Sequence, residues 1–422
     1  MVNLRNFKQF IVDSAHLTLQ GSRLYYAWVG FLLLLIAIGA AAYAAQVNHG
    51  LLVTNMRDQV SWGFYIGNFT FLVGVAAASI MLVIPAYVYD WAPIKEITIL
   101  GEMLAITALI MCLGFVMVDI GRPDRFWHIM PLVGRLNWPE SMLAWDVIVL
   151  NLYLVLNWFV VTYLLFSAYV DKHYNKKIVL PLVLASIPMA VSIHTVTAYL
   201  YNGLAARPFW NSAILAPRFL ASAFCSGPAV LLILLQVLRK TTRLKITDEA
   251  IFKVAELMAY TMGFNLFLTA AESFKELYSG TEHMVYFQYL LFGVERNGTH
   301  YNTLVPFAWA SILTGFVAFL LFLIPRTRKN WVTLNVGCVL IYASVYIEKG
   351  MGLIIPGLTP DTLGEIYVYR PSFTEVAVAA GIFSLGALVF TVMLKVAVPM
   401  MLGEFTLTKG RPGAKDAPPQ SA

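Results

Sequence analysis

Charged residues are scarce in this sequence. Asp, Glu, Lys and Arg make up 12% of its 422 residues, whereas 59% are hydrophobic and the mean hydropathy is +0.72. A soluble globular domain normally carries about 25% charged residues, so the composition excludes that class and predicts an integral membrane protein. The net charge of +6 does not indicate nucleic-acid binding, because the basic residues lie in short segments between apolar stretches, where they orient membrane proteins.

Cysteine and histidine are also few. The three cysteines, Cys112, Cys225 and Cys338, lie singly in three different apolar stretches, and the sequence has no CxxC motif. An iron–sulfur cluster or a zinc site needs several grouped ligands, so neither is expected, and no metal site is predicted. Of the seven histidines only His194 lies clearly within an apolar stretch. Because two-histidine haem ligation needs imidazoles on facing helices, no haem is expected.

Long apolar runs fill the remainder of the chain. A helix needs about 20 apolar residues to cross the hydrocarbon core of a bilayer. Ten stretches meet that length, the first of them too long for the apolar part of a signal peptide: 24–45, 62–89, 97–118, 141–170, 178–200, 213–238, 250–277, 304–325, 331–350 and 372–398. The sequence therefore predicts an all-α polytopic membrane protein with ten transmembrane helices.

A faint internal repeat indicates how these spans are grouped. Gly101–Ala105 in span three resembles Ala255–Ala259 in span seven, at an offset of 154 residues that also carries span two onto span six. Two related four-helix bundles, spans 2–5 (62–200) and spans 6–9 (213–350), with spans 1 and 10 flanking them, would account for the repeat. The predicted organisation is an N-terminal segment (1–23), a transmembrane domain (24–400) and a tail (401–422).

Lys and Arg are distributed unevenly between the two faces. When each is assigned to its nearest helix end, 19 of the 29 lie on the face that holds both termini. Positively charged loops stay in the cytoplasm, so both termini are expected to be cytoplasmic. The longer connections on the outer face predict a docking platform for a partner: 46–61, 119–140, 201–212, 278–303 and 351–371.

Polar residues gather where spans two to five reach the outer face. A charge at the centre of a membrane helix costs about 2.5–3.5 kcal/mol on insertion scales, so intramembrane acids and histidines are candidates for function. Asp119, Asp146 and His194 are the strongest, because they lie within or at the end of a span. Part of the set has an ordinary explanation, since aromatic residues concentrate at membrane surfaces and loop arginines are solvated. The further candidates are Tyr65, Asn68, Arg122, Trp138, Glu140, Tyr199 and Tyr201.

Three acids lie toward the cytoplasmic face. Asp90 ends span two, whereas Glu102 and Glu256 lie roughly one to two turns inside spans three and seven, at matching positions of the repeat. Such acids are often paired with nearby bases at helix ends. The alternative is a route for protons from the cytoplasm, because relays of buried acids move protons through membrane proteins.

Three motifs on the outer side resemble a known family. Their order is Trp62-Gly-Phe-Tyr-Ile, then Asp119-Ile-Gly-Arg-Pro-Asp-Arg-Phe, then Trp138-Pro-Glu140-Ser-Met. This order is similar to that of the polysulfide reductase (NrfD/PsrC) family of membrane subunits. The motifs cover spans two to five, and the second half agrees by pattern. Ten spans match the long branch of the family, and the loop pattern most resembles the membrane subunit of the menaquinone reductase complex Qrc.

The resemblance implies a quinone-handling subunit of a respiratory redox complex. In the family, a ferredoxin-like iron–sulfur protein docks on the outer, periplasmic face and exchanges electrons with a quinone in the first bundle. A molybdopterin-type subunit or a multihaem cytochrome c is implied as a further partner, and menaquinone as the exchangeable ligand. The site motif of the family maps onto Asp119 and Arg122. We expect His194 and Asp119 to hydrogen-bond or protonate a quinone carbonyl, with protons drawn from the cytoplasm.

Two other functions are compatible with the composition. A secondary transporter for an anion would use Arg122 and Arg125 as ligands, although transporters usually bind at the membrane midplane between broken helices. A purely structural anchor would not need carboxylates inside spans three, four and seven. Partners that carry iron–sulfur clusters or several haems would indicate the redox subunit, and a chain that functions alone would indicate the transporter.

Overall fold

The computed structural model describes residues 4–130, 133–281 and 283–408, so most of the predicted tail lies outside the described residues. Within these ranges the chain forms fifteen α-helices and one two-stranded hairpin. The helices are α1 (Leu4–Leu19), α2 (Arg23–His49), α3 (Phe64–Ala76), α4 (Ala78–Val83), α5 (Ala92–Asp119), α6 (Met142–Tyr169), α7 (Lys176–Asn202), α8 (Leu215–Thr241), α9 (Asp248–Ser279), α10 (Met284–Leu291), α11 (Val305–Leu323), α12 (Pro325–Arg328), α13 (Trp331–Lys349), α14 (Met351–Leu358) and α15 (Phe373–Met401).

Ten of these segments are long and apolar enough to cross a membrane. They are α2, α3 with α4, α5, α6, α7, α8, α9, α11, α13 with α14, and α15. The predicted all-α polytopic fold is therefore confirmed. The one departure among the described residues is the antiparallel hairpin of β1 (Val294–Arg296) and β2 (Thr299–Tyr301), which lies between α10 and α11.

Successive spans run in opposite directions, so their connections alternate between two faces. The longer connections, 50–63, 120–141, 203–214, 280–304 and 359–372, define what we call the loop face. The shorter connections and helix α1 define the opposite, terminal face. Short polar residues begin several of the spans, because their side chains accept hydrogen bonds from backbone N–H groups that lack partners in the first helical turn: Ser22, Ser141, Asn175, Thr247, Asn330 and Ser372.

The first and last spans pack against each other through glycine. A Cβ atom added to Gly39 of α2 would lie 2.7 Å from the Cα atom of Gly381 in α15, and the reciprocal distance is 2.9 Å. Small residues allow such close approach of membrane helices, whose association depends on packing because lipid is as apolar as their side chains. The ends of the transmembrane domain are thereby joined.

The ninth span is broken at Gly350, where α13 ends and α14 begins. The break lies against α3, because a Cβ atom added to Gly67 would be 3.3 Å from the Cα atom of Gly350. This contact brings the last turn of α13, with Tyr346 and Lys349, against a helix of the first bundle. The broken helix therefore packs against α3.

The segment predicted at 1–23 contains helix α1, which packs against α6 and α15 at the terminal face. Its buried residues are Phe10, Asp13 and Leu17. The hydroxyl of Tyr169 donates to Oδ2 of Asp13 at 2.7 Å, and the Phe10 ring contacts the Tyr169 ring with centroids 5.5 Å apart. The N-terminal segment is thus an integral part of the fold.

Candidate functional site at the loop face

Polar side chains that are buried or partly buried lie toward the loop-face ends of four helices, α3, α5, α6 and α7, and these helices pack together. Tyr65 and Asn68 lie in the first turns of α3, and Asp119 is the last residue of α5. Asp146 follows the start of α6, and His194 lies eight residues, or about 12 Å, from the end of α7. All five candidates therefore belong to the loop-face half of the molecule, as predicted from the sequence.

Asp146 and Thr197 form a buried hydrogen bond between α6 and α7. The Thr197 hydroxyl donates to Oδ1 of Asp146 at 2.8 Å, and both side chains are almost fully buried. Burial of a carboxyl group is unfavourable unless it is hydrogen-bonded. The hydrogen bond from Thr197 therefore compensates part of the cost of burying the Asp146 carboxyl group.

The His194 ring has one satisfied and one free nitrogen. Nδ1 lies 2.7 Å from the backbone oxygen of Ala190 and donates to it, because a carbonyl oxygen can only accept. Nε2 is buried and has no hydrogen-bond partner among the described residues. With Nδ1 protonated, Nε2 is the atom that can accept a proton, and imidazole is the side chain best suited to such exchange near neutral pH.

Asp119 lies in a second polar group, between α2, α3 and α5. Tyr65 donates to Oε1 of Gln46 at 2.7 Å, and Nε2 of Gln46 donates to the backbone oxygen of Val118 at 2.6 Å. Oδ1 of Asp119 is buried without a hydrogen-bond partner in the described part of the chain. Asp119 also interacts electrostatically with Glu375 of α15. Gln46 and Glu375 were not predicted, because they lie in spans 1 and 10, outside the predicted bundles.

Asn68 links the first bundle to the second. Its Nδ2 donates to the backbone oxygen of Phe64 at 2.8 Å, and its Oδ1 accepts a hydrogen bond from the Tyr346 hydroxyl at 2.7 Å. Tyr346 belongs to α13, 278 positions further along the chain. No local sequence pattern reveals such a pair, so Tyr346 was missed.

Four predicted residues lie apart from this buried group. Tyr199 is 47% exposed and Trp138 is 54% exposed, as expected for aromatic residues near a membrane surface, and Glu140 is exposed. Arg122 is exposed too, and its guanidinium forms two hydrogen bonds with Asp124, at 3.0 and 2.9 Å. This pairing holds the pKa of Asp124 below its ordinary value. A solvated pair of this kind does not resemble the ligand set of a midplane anion site.

Tyr201 is buried in an aromatic group at the base of the loop face. Its hydroxyl is hydrogen-bonded to the hydroxyl of Thr70. The centroid of its ring lies 5.2 Å from that of the Trp210 ring and 5.7 Å from that of the Trp62 ring. Aromatic contacts of this geometry stabilise packing, so the structure gives Tyr201 a clear packing role.

A charged network in the second bundle was not predicted. Arg218 of α8 is paired with Glu272 of α9 and, at 2.7 Å, with Glu348 of α13. Asn265 donates to Glu348 at 3.1 Å.

Lys349, the residue after Glu348, is buried, and its Nζ donates to the backbone oxygen of Phe219 at 2.8 Å. The signal was present in the sequence, as charged residues within spans six, seven and nine.

The acids toward the terminal face differ in their surroundings. Glu102 is buried, and its Oε2 has no hydrogen-bond partner among the residues described. It interacts electrostatically with Tyr87 and with Tyr153.

Glu256 is partly buried and accepts hydrogen bonds from Lys253 at 3.1 Å and from Tyr260 at 3.2 Å. The guanidinium of Arg328 lies 4.0 Å from the Glu256 carboxylate. Asp90 is exposed and paired with Lys95 at 2.6 Å.

A cavity of about 490 Å³ opens at the terminal face below Glu102. Tyr87 and Leu100 line it, together with the basic residues Lys95, Arg243 and Lys245. Because Leu100 is two residues before Glu102 in α5, the cavity reaches within about one helical turn of the buried acid. Glu102 itself does not line the cavity.

Metal-ligand geometry is absent from residues 4–130, 133–281 and 283–408. No group of three or more His, Cys, Asp or Glu side chains there is arranged to hold a metal ion. The three cysteines are buried and unpaired by disulfides. The expectation that this chain carries no haem or iron–sulfur cluster stays a prediction.

Comparison with known proteins identifies the relatives of this chain. It is 25% identical to a Halobacterium salinarum protein provisionally named as the C membrane subunit of dimethyl sulfoxide reductase, over 86% of this chain and 88% of that protein. It is 26% identical to the C subunit of selenate reductase from Mesobacillus selenatarsenatis, over 64% and 69%. It is 24% identical to the Hdr-like menaquinol oxidoreductase integral membrane subunit of Archaeoglobus fulgidus, over 88% and 92%.

The family itself is also matched directly. Residues 52–360 fit the family described as polysulphide reductase, NrfD, and this range includes eight of the ten spans. The expectation drawn from the three loop-face motifs is thereby confirmed. The chain belongs to the NrfD family of membrane subunits.

Proposed function

We propose that this membrane subunit exchanges electrons between an iron–sulfur partner and menaquinone in a respiratory redox complex. The observation that carries the proposal is that Asp146 and His194 are buried, and Asp119 partly buried, toward the loop-face ends of α6, α7 and α5. Nε2 of His194 and Oδ1 of Asp119 have no hydrogen-bond partner among the described residues. Such atoms are normally paired inside proteins. The hydroxyl groups of a quinol can donate to Nε2 of a neutral His194 and to the Asp119 carboxylate, and the protonated forms of these side chains can donate to the carbonyl oxygens of a quinone.

The chemistry divides between the chain and its partners. Reduction of a quinone to a quinol consumes two electrons and two protons, and the reverse reaction releases them. The electrons belong to the clusters of the partner and to the quinone. The side chains of this subunit bind and orient the quinone and exchange protons with it, His194 through Nε2 and Asp119 through its carboxyl group.

The partner would dock on the loop face, which we propose to be periplasmic, with both termini in the cytoplasm of a bacterial cell. The relatives support a multisubunit complex, because their names describe membrane or C subunits of reductases and an oxidoreductase. One of them is named as a menaquinol oxidoreductase subunit. A ferredoxin-like iron–sulfur protein, with a molybdopterin-type subunit or a multihaem cytochrome c, fits this role.

Protons would reach the quinone from the cytoplasm through the first bundle. Leu100, two residues before Glu102 in α5, lines the terminal-face cavity, from which protons would enter. The Tyr153 hydroxyl is hydrogen-bonded to Ser79 at 2.9 Å. Tyr153 lies seven residues, or about 10 Å, from Asp146 along α6. Glu102 is the better candidate for this route than Glu256, which is held by two bases, and than Asp90, which is exposed.

The decisive experiment is purification of the chain from its native membrane with its partners, followed by reconstitution with menaquinone. We expect a stable complex that contains an iron–sulfur protein and oxidises or reduces menaquinone. An active chain that purifies alone and moves an anion across vesicles would contradict the proposal and support a transporter.

A further inference from the structure

A second cavity of about 490 Å³ lies at the loop-face end of α11, α13 and α14. We call it the lateral cavity. Its lining is almost entirely apolar, and ligand-binding pockets commonly range from about 300 to 1,000 Å³. It is closed on one side by the segment that precedes α15. The residues that matter below are Leu304, Phe307, Tyr346, Met351, Tyr369 and Arg370.

The rim of the lateral cavity lies at the outer surface of the membrane domain. Phe307 is 57% exposed on α11, although α11 is a membrane-spanning helix with mainly apolar residues. An exposed apolar side chain on such a helix faces lipid. A molecule dissolved in the bilayer can therefore reach the cavity from the side, without crossing the loop face.

The polar end of the lateral cavity is formed by two tyrosines. The Tyr346 hydroxyl donates to Oδ1 of Asn68 at 2.7 Å. The Tyr369 hydroxyl is hydrogen-bonded to Glu375 and accepts a hydrogen bond from the backbone N–H of Phe64 at 2.9 Å. Both tyrosines thus join an apolar chamber to α3, the helix that carries Tyr65 and Asn68.

Lys349 extends this connection toward the first bundle. It lies three residues after Tyr346, on the same side of α13. A Cβ atom added to Gly74 of α3 would be 3.3 Å from its Nζ atom. Tyr346 and Lys349 therefore both lie against α3, and α3 packs on α7, the helix that carries His194.

We propose that the lateral cavity is the binding chamber through which a prenylated quinone enters from the bilayer. The quinone ring lies at the Tyr346 end, where the phenol donates to one carbonyl oxygen in place of Asn68, and the prenyl chain leaves past Phe307 into lipid. An apolar chain attached to a ring with two hydrogen-bond acceptors matches an apolar chamber that ends in phenols. This inference rests on the proposed function and adds an entrance chamber between α3, α11, α13 and α14, separate from His194 and Asp119.

The test uses the whole complex and a photoreactive azido-naphthoquinone that carries a prenyl chain. After illumination, we expect labelled peptides from 303–308, 346–355 or 369–371, and excess menaquinone should suppress the labelling. Saturable labelling confined to α6 and α7 would overturn the lateral site while leaving quinone handling intact. Absence of saturable labelling anywhere in the complex would contradict the proposed function itself.

A matched pair of variants tests the hydrogen bond. Tyr346→Phe should weaken menaquinone binding about three- to tenfold, the range expected for loss of one hydrogen bond. Tyr342→Phe is the control, because Tyr342 stacks on Tyr346 one turn earlier, at 5.8 Å between centroids, and does not line the cavity. Equal affinities of the two variants and the unchanged chain would remove Tyr346 from the site.

A phospholipid is the competing occupant, because Arg370 lines the lateral cavity and could hold a phosphate group. Vesicles of phosphatidylglycerol distinguish the two. If this lipid suppresses labelling at 346–355 as effectively as menaquinone does, the chamber is a lipid site and the proposal is wrong. If menaquinone suppresses the labelling and the lipid does not, the result supports a quinone chamber.

Discussion

The ammonium group of Lys349 makes both a hydrogen bond and a cation–π contact with Phe219. Its Nζ donates to the backbone oxygen of Phe219 at 2.8 Å and lies 4.8 Å from the centroid of the Phe219 ring. A buried cation is costly unless such contacts compensate it. Intramembrane ionisable residues of this kind commonly mark functional pathways. Lys349 lies against α3, because a Cβ atom added to Gly74 would be 3.3 Å from its Nζ atom.

We therefore expect Lys349→Met to reduce menaquinone turnover by at least about tenfold, because negative charge that develops on the reduced quinone would lose a nearby cation. Turnover of the purified complex is the measurement. Lys395→Met is the control, since Lys395 also lies over an aromatic ring, that of Tyr25 at 5.1 Å, but on α15. Equal losses in both variants would indicate a structural effect.

His194→Ala should abolish most quinone turnover while the complex still assembles, because Nε2 is the free proton-accepting atom in the buried group. Assembly is followed by co-purification of the partner subunits. Thr195→Ala provides the control, since Thr195 is partly exposed and its hydroxyl donates to the backbone oxygen of Val191. Normal turnover in the His194 variant would remove this histidine from the site.

Glu102→Gln should lower the membrane potential generated per electron in sealed vesicles. Moving one charge across 100 mV is worth about 2.3 kcal/mol, so a lost proton route is measurable as lost energy conservation. Glu256→Gln is the natural comparison, because this acid occupies the matching repeat position but is held by Lys253 and Tyr260. If both variants match the unchanged protein, neither acid takes part in proton uptake.

Gly39→Leu should destabilise the protein by about 1–3 kcal/mol or more, because the added side chain meets the backbone of Gly381, which cannot rotate away. Thermal unfolding in detergent gives the measurement. Gly30→Leu in the same helix serves as the control, since an added Cβ atom there has nothing within 4 Å. Equal stability of the two variants would show that the α2–α15 contact is not tight.

The purified subunit, separated from its partners, should show no haem absorption band and no bound iron. The sequence places only His194 clearly within a span, so a second axial histidine for a haem is not expected. The three cysteines lie in different helices and are buried, so they are not grouped as iron–sulfur ligands. Optical spectra and metal analysis provide the test. Stoichiometric haem or iron in the isolated chain would contradict it.

The fold was largely predictable because bilayers impose a simple requirement. Each span must satisfy its backbone hydrogen bonds internally and must be apolar for about 20 residues, and both conditions can be read from composition. The depth of Asp119, Asp146 and His194 followed from their distance to span ends. Helix α1 was missed, because the segment before Arg23 carries charges and lacks the length of a span.

Contacts between distant spans were not predictable in the same way. Depth along a helix follows from counting residues, but the direction of a side chain around the helix depends on which neighbours pack there. Tyr199 and Tyr201 are two residues apart, yet one is exposed and the other buried. Likewise, the Tyr346–Asn68 hydrogen bond requires the break at Gly350 and its contact with Gly67, which a single sequence does not specify.

The contact between Gly39 and Gly381 also has a consequence for biosynthesis. These glycines are 342 residues apart in the chain, and ribosomes add about 5–20 residues per second. Helix α2 therefore enters the bilayer roughly 17 to 68 s before its partner helix α15 is synthesised. During that time the glycine-lined face of α2 is available to other helices, including those of neighbouring nascent chains. Rapid insertion of the last span would then limit mispairing, and chains that terminate before α15 would remain open for degradation.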